Sequence, residues 1–268
     1  MTPATVEAGG LALAYDSTGD DDAAATVVLV HGTATARTVW RETVEALGGG
    51  PRTIAYDRRA YGDSGAPEPY GGTTVGEQAD DPAALIEALS PGRPAAVCGH
   101  ELGALACLDL VVRRPELVDL AVLIEPPLLW MSPTGTDKVA DLREAVASAA
   151  RDGGAAAAVR AYIVAVGGSQ APDLLGRERL DAALASPRAF AADLAAAASW
   201  TGGRRELAAI ATPVAVISGS RSAPERQEAA RALASMIPGA RLEALEAGHF
   251  VHLERPAEVA AAIVGGGV

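Results

Sequence analysis

Short apolar, β-branched runs alternate with longer Ala/Leu-rich stretches along most of this chain, and that alternation sets the expected architecture. The run TVVLV at residues 26–30 carries no charged position, as expected of a strand buried on both faces of a parallel sheet. Residues 53–56, 95–98, 117–124, 214–218 and 241–245 read as further strands, and residues 5–8 and 11–16 flank Gly9-Gly10 as an N-terminal hairpin. Residues 76–89, 102–113, 224–236 and 256–264 carry helical patterns. Strand–helix units in this order predict an α/β fold built on a mainly parallel, eight-stranded sheet flanked by helices. Residues 265–268 are expected to fray.

From about residue 126 to 206 the alternation stops. That stretch is Ala-rich and helical in pattern, with breaks at Gly153-Gly154, Gly167-Gly168 and Gly202-Gly203 and no strand signal. Residues 1–125 and 207–268 are therefore expected to form one core domain, with 126–206 inserted after the sixth strand as a helical cap. A cap there would cover the carboxyl ends of the strands, where open α/β sheets bind ligands.

Composition narrows the function. A length of 268 residues suits one large α/β domain. With 22 basic against 34 acidic residues the net charge is −12, which argues against nucleic acid, because binding phosphates needs a surplus of Lys and Arg. No apolar run reaches the roughly 18–20 residues that cross a bilayer, so no membrane contact is expected. The start, MTPATVEAGG, lacks a basic segment followed by an apolar core. Two cysteines, Cys98 and Cys107, make no disulfide scaffold, and no Cys/His cluster has zinc spacing. These features predict a soluble, cytoplasmic protein that acts on a small molecule without metal or cofactor. A homo-oligomer has no support in the sequence.

Three segments fall at strand ends: Val30-His31-Gly32-Thr33, Cys98-Gly99-His100-Glu101-Leu102-Gly103, and Gly248-His249-Phe250. Together with Tyr56-Asp57-Arg58-Arg59-Ala60-Tyr61-Gly62-Asp63-Ser64 they resemble the α/β-hydrolase fold superfamily over nearly the whole chain outside the cap. The resemblance implies that fold, with a nucleophile elbow of the form Gly-x-Ser-x-Gly on a strained strand-to-helix turn. Here the glycines stand but position 101 is Glu, and no Ser or Cys takes its place, so serine acyl transfer is not expected. The resemblance also puts oxyanion-hole donors at the backbone N–H groups of Thr33 and Leu102, where one Glu101 oxygen would itself fill the hole.

His249 matches the family's base position, and Ser222 stands where its acid usually does. Glu125, at the end of the sixth strand, matches an alternative acid site and is expected to orient His249. Trp130, Tyr162 and Trp200 of the cap, with His100 in the elbow, are the candidate substrate contacts, packing being the competing use of each aromatic. His31 and His252 read as structural.

The leading expectation is acid–base chemistry by Glu101 and His249 on a small, largely apolar molecule: isomerisation, cyclisation, elimination or C–C/C–O bond formation in natural-product metabolism. One alternative is epoxide-hydrolase-like hydrolysis through a Glu101 ester. Against it, enzymes of that kind resemble one another in a His-Gly-x-Pro turn and two cap tyrosines, whereas this chain has His31-Gly32-Thr33-Ala34 and Tyr162 alone. The other alternative is a non-catalytic binding protein, for which a base with an orienting acid has no use.

Overall fold

All eight expected strands form and join in one sheet in a computed structural model that describes residues 2–265. The tail expected to fray lies, beyond Gly265, outside the described residues. β1 (Thr2–Ala8) and β2 (Leu11–Thr18) make an antiparallel hairpin at one edge, turning through Gly9 and Gly10 at φ of +59° and +80°. Then come β3 (Thr26–Val30), β4 (Arg52–Tyr56), β5 (Ala95–His100), β6 (Val118–Ile124), β7 (Val214–Gly219) and β8 (Arg241–Leu245). The spatial order is β1-β2-β4-β3-β5-β6-β7-β8; β2 meets β4 antiparallel and every later pairing is parallel.

Helices α1 (Arg41–Leu47), α2 (Val75–Leu89) and α3 (Leu102–Arg113) belong to the first half of the chain. Between β6 and β7 lie α4 (Gly135–Gly167), α5 (Ala171–Leu184), α6 (Pro187–Ala196) and α7 (Arg204–Ala208), with no strand among the described residues. The chain closes with α8 (Pro224–Met236), α9 (Val251–Glu254) and α10 (Pro256–Val264). Among the described residues no helix is long and apolar enough to cross a membrane.

Strand alternation divides the core between the two faces of the sheet. Val28 and Val30 of β3 join a cluster with Leu85 of α2, Leu105 of α3 and Leu233 of α8. Val27 and Leu29 point the other way, to Val44 of α1 and Ile263 of α10. The glycine breaks shape the insertion: α4 kinks at Gly154 (φ +76°) and stops at Gly168 (φ +82°). A further kink at Gly176 (φ +74°) in α5 is a lone glycine that the sequence pattern did not flag.

One buried ion pair ties the insertion to the core. Arg58 follows β4 and is fully buried, as is the side chain of Asp193 on α6. Its guanidinium donates to Asp193 at 2.5 and 3.2 Å, to the Gln78 side-chain carbonyl at 2.7 Å and to the His31 carbonyl at 2.8 Å. The Tyr61 hydroxyl gives Asp193 another donor at 2.7 Å. Such a pair adds little net stability, yet removing one partner strands a buried charge at a cost of about 3–5 kcal/mol. Asp193→Ala should therefore lower the unfolding free energy in urea by about 3–5 kcal/mol. Arg58→Met combined with Asp193→Leu should recover most of that loss. A single-mutant cost below about 1 kcal/mol, the range of exposed pairs, would remove this tether from the account.

Candidate active site

The candidate groups gather at the carboxyl ends of the parallel strands. β5 runs into α3 through Glu101, which holds φ +52° and ψ −117°, a conformation that costs a non-glycine residue about 1–3 kcal/mol. Two glycines make the turn possible. A Cβ on Gly99 would strike the backbone of Gly103, and one on Gly103 would strike the backbone of Val30 and His31, so α3 packs directly on the sheet. Ala34 (φ +55°) and Glu125 (φ +51°), at neighbouring strand ends, are strained in the same way.

The bend delivers the Glu101 carboxylate to the N-terminus of α3, where the helix dipole favours negative charge. Its Oε2 accepts from the Leu102 N–H at 2.5 Å and from the Thr33 N–H at 3.0 Å. Two backbone donors from different strand ends thus converge on one carboxylate oxygen. The other oxygen, Oε1, accepts from the Tyr162 hydroxyl of α4 at 3.1 Å. Tyr162 is buried, and burial followed by the neighbouring Glu101 charge pushes its phenol well above the usual tyrosine range.

His249 stands between β8 and α9, with Nδ1 3.2 Å from Oε2 of Glu125 at the end of β6. The Ser222 hydroxyl donates to that same oxygen at 2.7 Å and the Gly219 N–H to Oε1 at 2.8 Å. The Ser222 hydroxyl therefore helps fix the Glu125 carboxylate in place. Burial lifts the Glu125 carboxyl above its ordinary range, opposed by the Arg226 charge and these two donors. Burial, and then Arg226, hold the His249 imidazole well below the ordinary histidine range. A neutral ring whose Nδ1–H donates to Glu125 keeps its Nε2 lone pair as a base.

A cavity of about 250 Å³ opens over Glu101, lined by Thr33, Leu129, Trp130, Leu142 and Tyr162 among others. That is slightly below the roughly 300–1,000 Å³ of drug-sized sites. Trp130 is 57% exposed at its mouth. Two candidate contacts stand elsewhere. His100 is fully enclosed beneath the elbow, its Nε2 donating to the His249 carbonyl at 3.1 Å between the rings of His249 and His252. Trp200 turns its indole N–H to Asp109 of α3 at 3.1 Å and packs on the core, because the half-buried N–H needs that acceptor. His249 is not part of the cavity wall, and no hydrogen bond joins it to Glu101 among the described residues. Proton exchange between them requires a bridging water or substrate. Arg226, Arg143 and Asp193 do line the cavity. No sequence signal marked them, since none of the three sits in a strand-end motif. No cluster of His, Cys, Asp and Glu suited to a metal occurs among the described residues.

Residues 27–262 match the family model described as the alpha/beta hydrolase family. The chain belongs to the alpha/beta hydrolase family. Among curated proteins this alpha/beta hydrolase is 36% identical over 110 residues to a probable oxidoreductase, EphD, of Mycobacterium tuberculosis, covering 41% of this chain and 18% of that protein. It is 35% identical over 104 residues to a putative carbamate hydrolase of Agrobacterium fabrum, covering 39% of each. The chain thus spans well under half of the length of these relatives. A thermophilic esterase from Thermogutta terrifontis superposes with a TM-score of 0.81 at 23% identity, covering 99% of this chain and 97% of the other. The enol-lactonase of Burkholderia xenovorans does so with 0.75 at 24%, covering 98% and 99%.

The four histidines of this alpha/beta hydrolase, His31, His100, His249 and His252, are all held well below the ordinary range, burial being the first cause each time. Unfolded, they take up protons near pH 6.5, which the folded state resists. Stability should therefore fall as pH drops below about 6.5, at up to about 1.4 kcal/mol per pH unit for each histidine. Asp57, Asp81 and Glu125, whose carboxyls burial raises, act in the opposite sense as they take up protons in the folded state. Urea midpoints are expected to be clearly lower at about pH 5.5 than at 7.5, and unchanged from 7.5 to 8.5. Equal midpoints at the first two would mean that the buried rings titrate normally.

Proposed function

We propose that this alpha/beta hydrolase transforms a small, largely apolar molecule with the Glu101 carboxylate in the role of the missing serine, assisted by Tyr162, His249 and Glu125. The observation that carries the proposal is the division of labour within one carboxylate. Oε2 accepts from two backbone N–H groups, while Oε1 meets a phenol on a residue that lines the cavity. Covalent hydrolysis uses every one of these features.

In that route Oε1 attacks an electrophilic carbon of an epoxide, the C–O bond opens, and the alkoxide takes the Tyr162 proton. While Glu101 is charged it makes Tyr162 a weaker acid. Forming the ester removes that charge at the step where the proton is needed. His249, neutral and oriented by Glu125, then deprotonates a water that attacks the ester carbonyl. Negative charge develops on Oε2, facing the Thr33 and Leu102 N–H groups. Collapse expels the alkoxide, which the imidazolium protonates, and the Glu101 carboxyl returns its proton to Tyr162. The second reading, proton transfer without an ester, is supported by the Tyr162–Glu101 hydrogen bond, a ready carboxylate–phenol proton path. It would serve isomerisation, cyclisation or elimination, chemistries at home in natural-product metabolism. Under either reading a pure binder has no use for the His249–Glu125 pair.

A single turnover of a small aryl epoxide such as styrene oxide in ¹⁸O-water is expected to label the peptide that carries Glu101. Glu101→Gln should lower kcat by about 10³-fold or more. Turnover with no label in that peptide assigns the proton-transfer route. Full activity in Glu101→Gln removes Glu101 from the chemistry altogether.

A further inference from the structure

Arg226 is a buried cation of the cavity wall that neither route employs. It occupies the first turn of α8, is only 6% exposed, and lines the cavity over Glu101. Among the described residues its guanidinium makes no hydrogen bond or ion pair, and its Nη1 is buried without any partner. Three costs meet at this side chain. A buried cation without a partner loses its hydration, an unpaired donor forfeits its bond, and the first turn of a helix is the end whose dipole repels positive charge. Packing does not explain it, because an apolar residue would fill that wall without any of these costs.

The guanidinium also forms part of the wall of a second space, shared with Leu129 and Leu142. Its charge nevertheless acts on Glu125, His249 and Tyr162, the groups gathered around Glu101. Serving as a fixed counter-ion to Glu125 is a poor account of it: Glu125 already has His249, Ser222 and Gly219 at hydrogen-bond distance, and Arg226 is not in ion-pair contact. Arg143, exposed, adds a second cation to a lining that is otherwise mostly apolar, in a chain of net charge −12.

We propose that Arg226 is an anion-recognition residue and that the molecule taken into this cavity carries a carboxylate, held by the guanidinium while its apolar body lies against Leu129, Leu142 and Trp130. Planar, two-pronged donation to a carboxylate is what a guanidinium provides, and Arg226 lines the cavity without a partner of its own among the described residues. The proposal rests on the cavity over Glu101 being the substrate site and deepens that reading by naming the substrate's charged group. Burial is the main cause that holds His249 low and Arg226 the second; binding the anion offsets the second.

The test needs no turnover, so it stands apart from the fate of the Glu101 chemistry. The probes are 3-phenylpropanoate and its neutral isostere 3-phenylpropanamide, with affinities measured by calorimetry on the wild type and on Glu101→Gln. The carboxylate is expected to bind at least ~10-fold more tightly than the amide in both proteins, with the larger margin in Glu101→Gln, where a like charge is gone. Arg226→Gln should erase the preference, and Arg226→Lys should keep part of it. Equal affinities in the wild type, or no measurable binding of the carboxylate at millimolar concentration, overturns the proposal. So does a preference that survives Arg226→Gln. The wild-type comparison stands even if the variants fold poorly.

Discussion

Two backbone N–H groups, those of Thr33 and Leu102, point at one oxygen of Glu101, and the rest of the site is arranged around that contact. The Leu102 donor is there because β5 must bend sharply into α3 for the helix to lie on the sheet, which leaves the first N–H of α3 unpaired at the bend, and the Thr33 donor comes from the segment after β3. In a chain with a short hydroxyl at the apex, these donors would stay open to a substrate. A side chain with a terminal carboxylate folds back and takes them. The elbow thus clamps the protein's own anion, while the second carboxylate oxygen meets the Tyr162 hydroxyl.

The clamp sits among groups that are costly to keep. Glu101, Ala34 and Glu125 hold left-handed backbone, His249 and Glu125 are enclosed, and Arg58 and Asp193 carry opposite charges inside the protein. Two of these costs are offset by specific partners: Ser222 and Gly219 for Glu125, Tyr61 and Gln78 for the buried pair. Arg226 has no such partner among the described residues.

Much of the scaffold was legible in residue pattern alone. β3 and α3 have the bounds expected from hydrophobic periodicity: both are buried, β3 stops at the polar His31, and α3 lies between Glu101 and Arg114. β5 extends two residues past its expected end at Cys98: Gly99 and His100 still pair with Leu123 and Ile124 of β6, a tertiary preference that local pattern does not carry. The strand-end motifs brought Glu101, His249, Glu125 and Ser222 to attention. Motif position does not fix which way a side chain faces, so His100 and Trp200 were expected in the cavity and stand outside it. Arg226 and Asp193 reach the site only through the docking of helices distant in sequence, and nothing local sets them apart from surface charges.

The central claim is that a working oxyanion hole exists here and is closed by Glu101 itself, and Glu101→Ser probes it most directly. Replacing the carboxylate by a hydroxyl should vacate the two N–H donors and put a nucleophile at the elbow, with the His249–Glu125 pair in reserve. Hydrolysis of p-nitrophenyl acetate should then rise above background in Glu101→Ser, be absent from the wild type, and vanish again in the double variant with His249→Ala. A folded Glu101→Ser protein with no activity on this ester, or a wild type that hydrolyses it as well, would contradict the account.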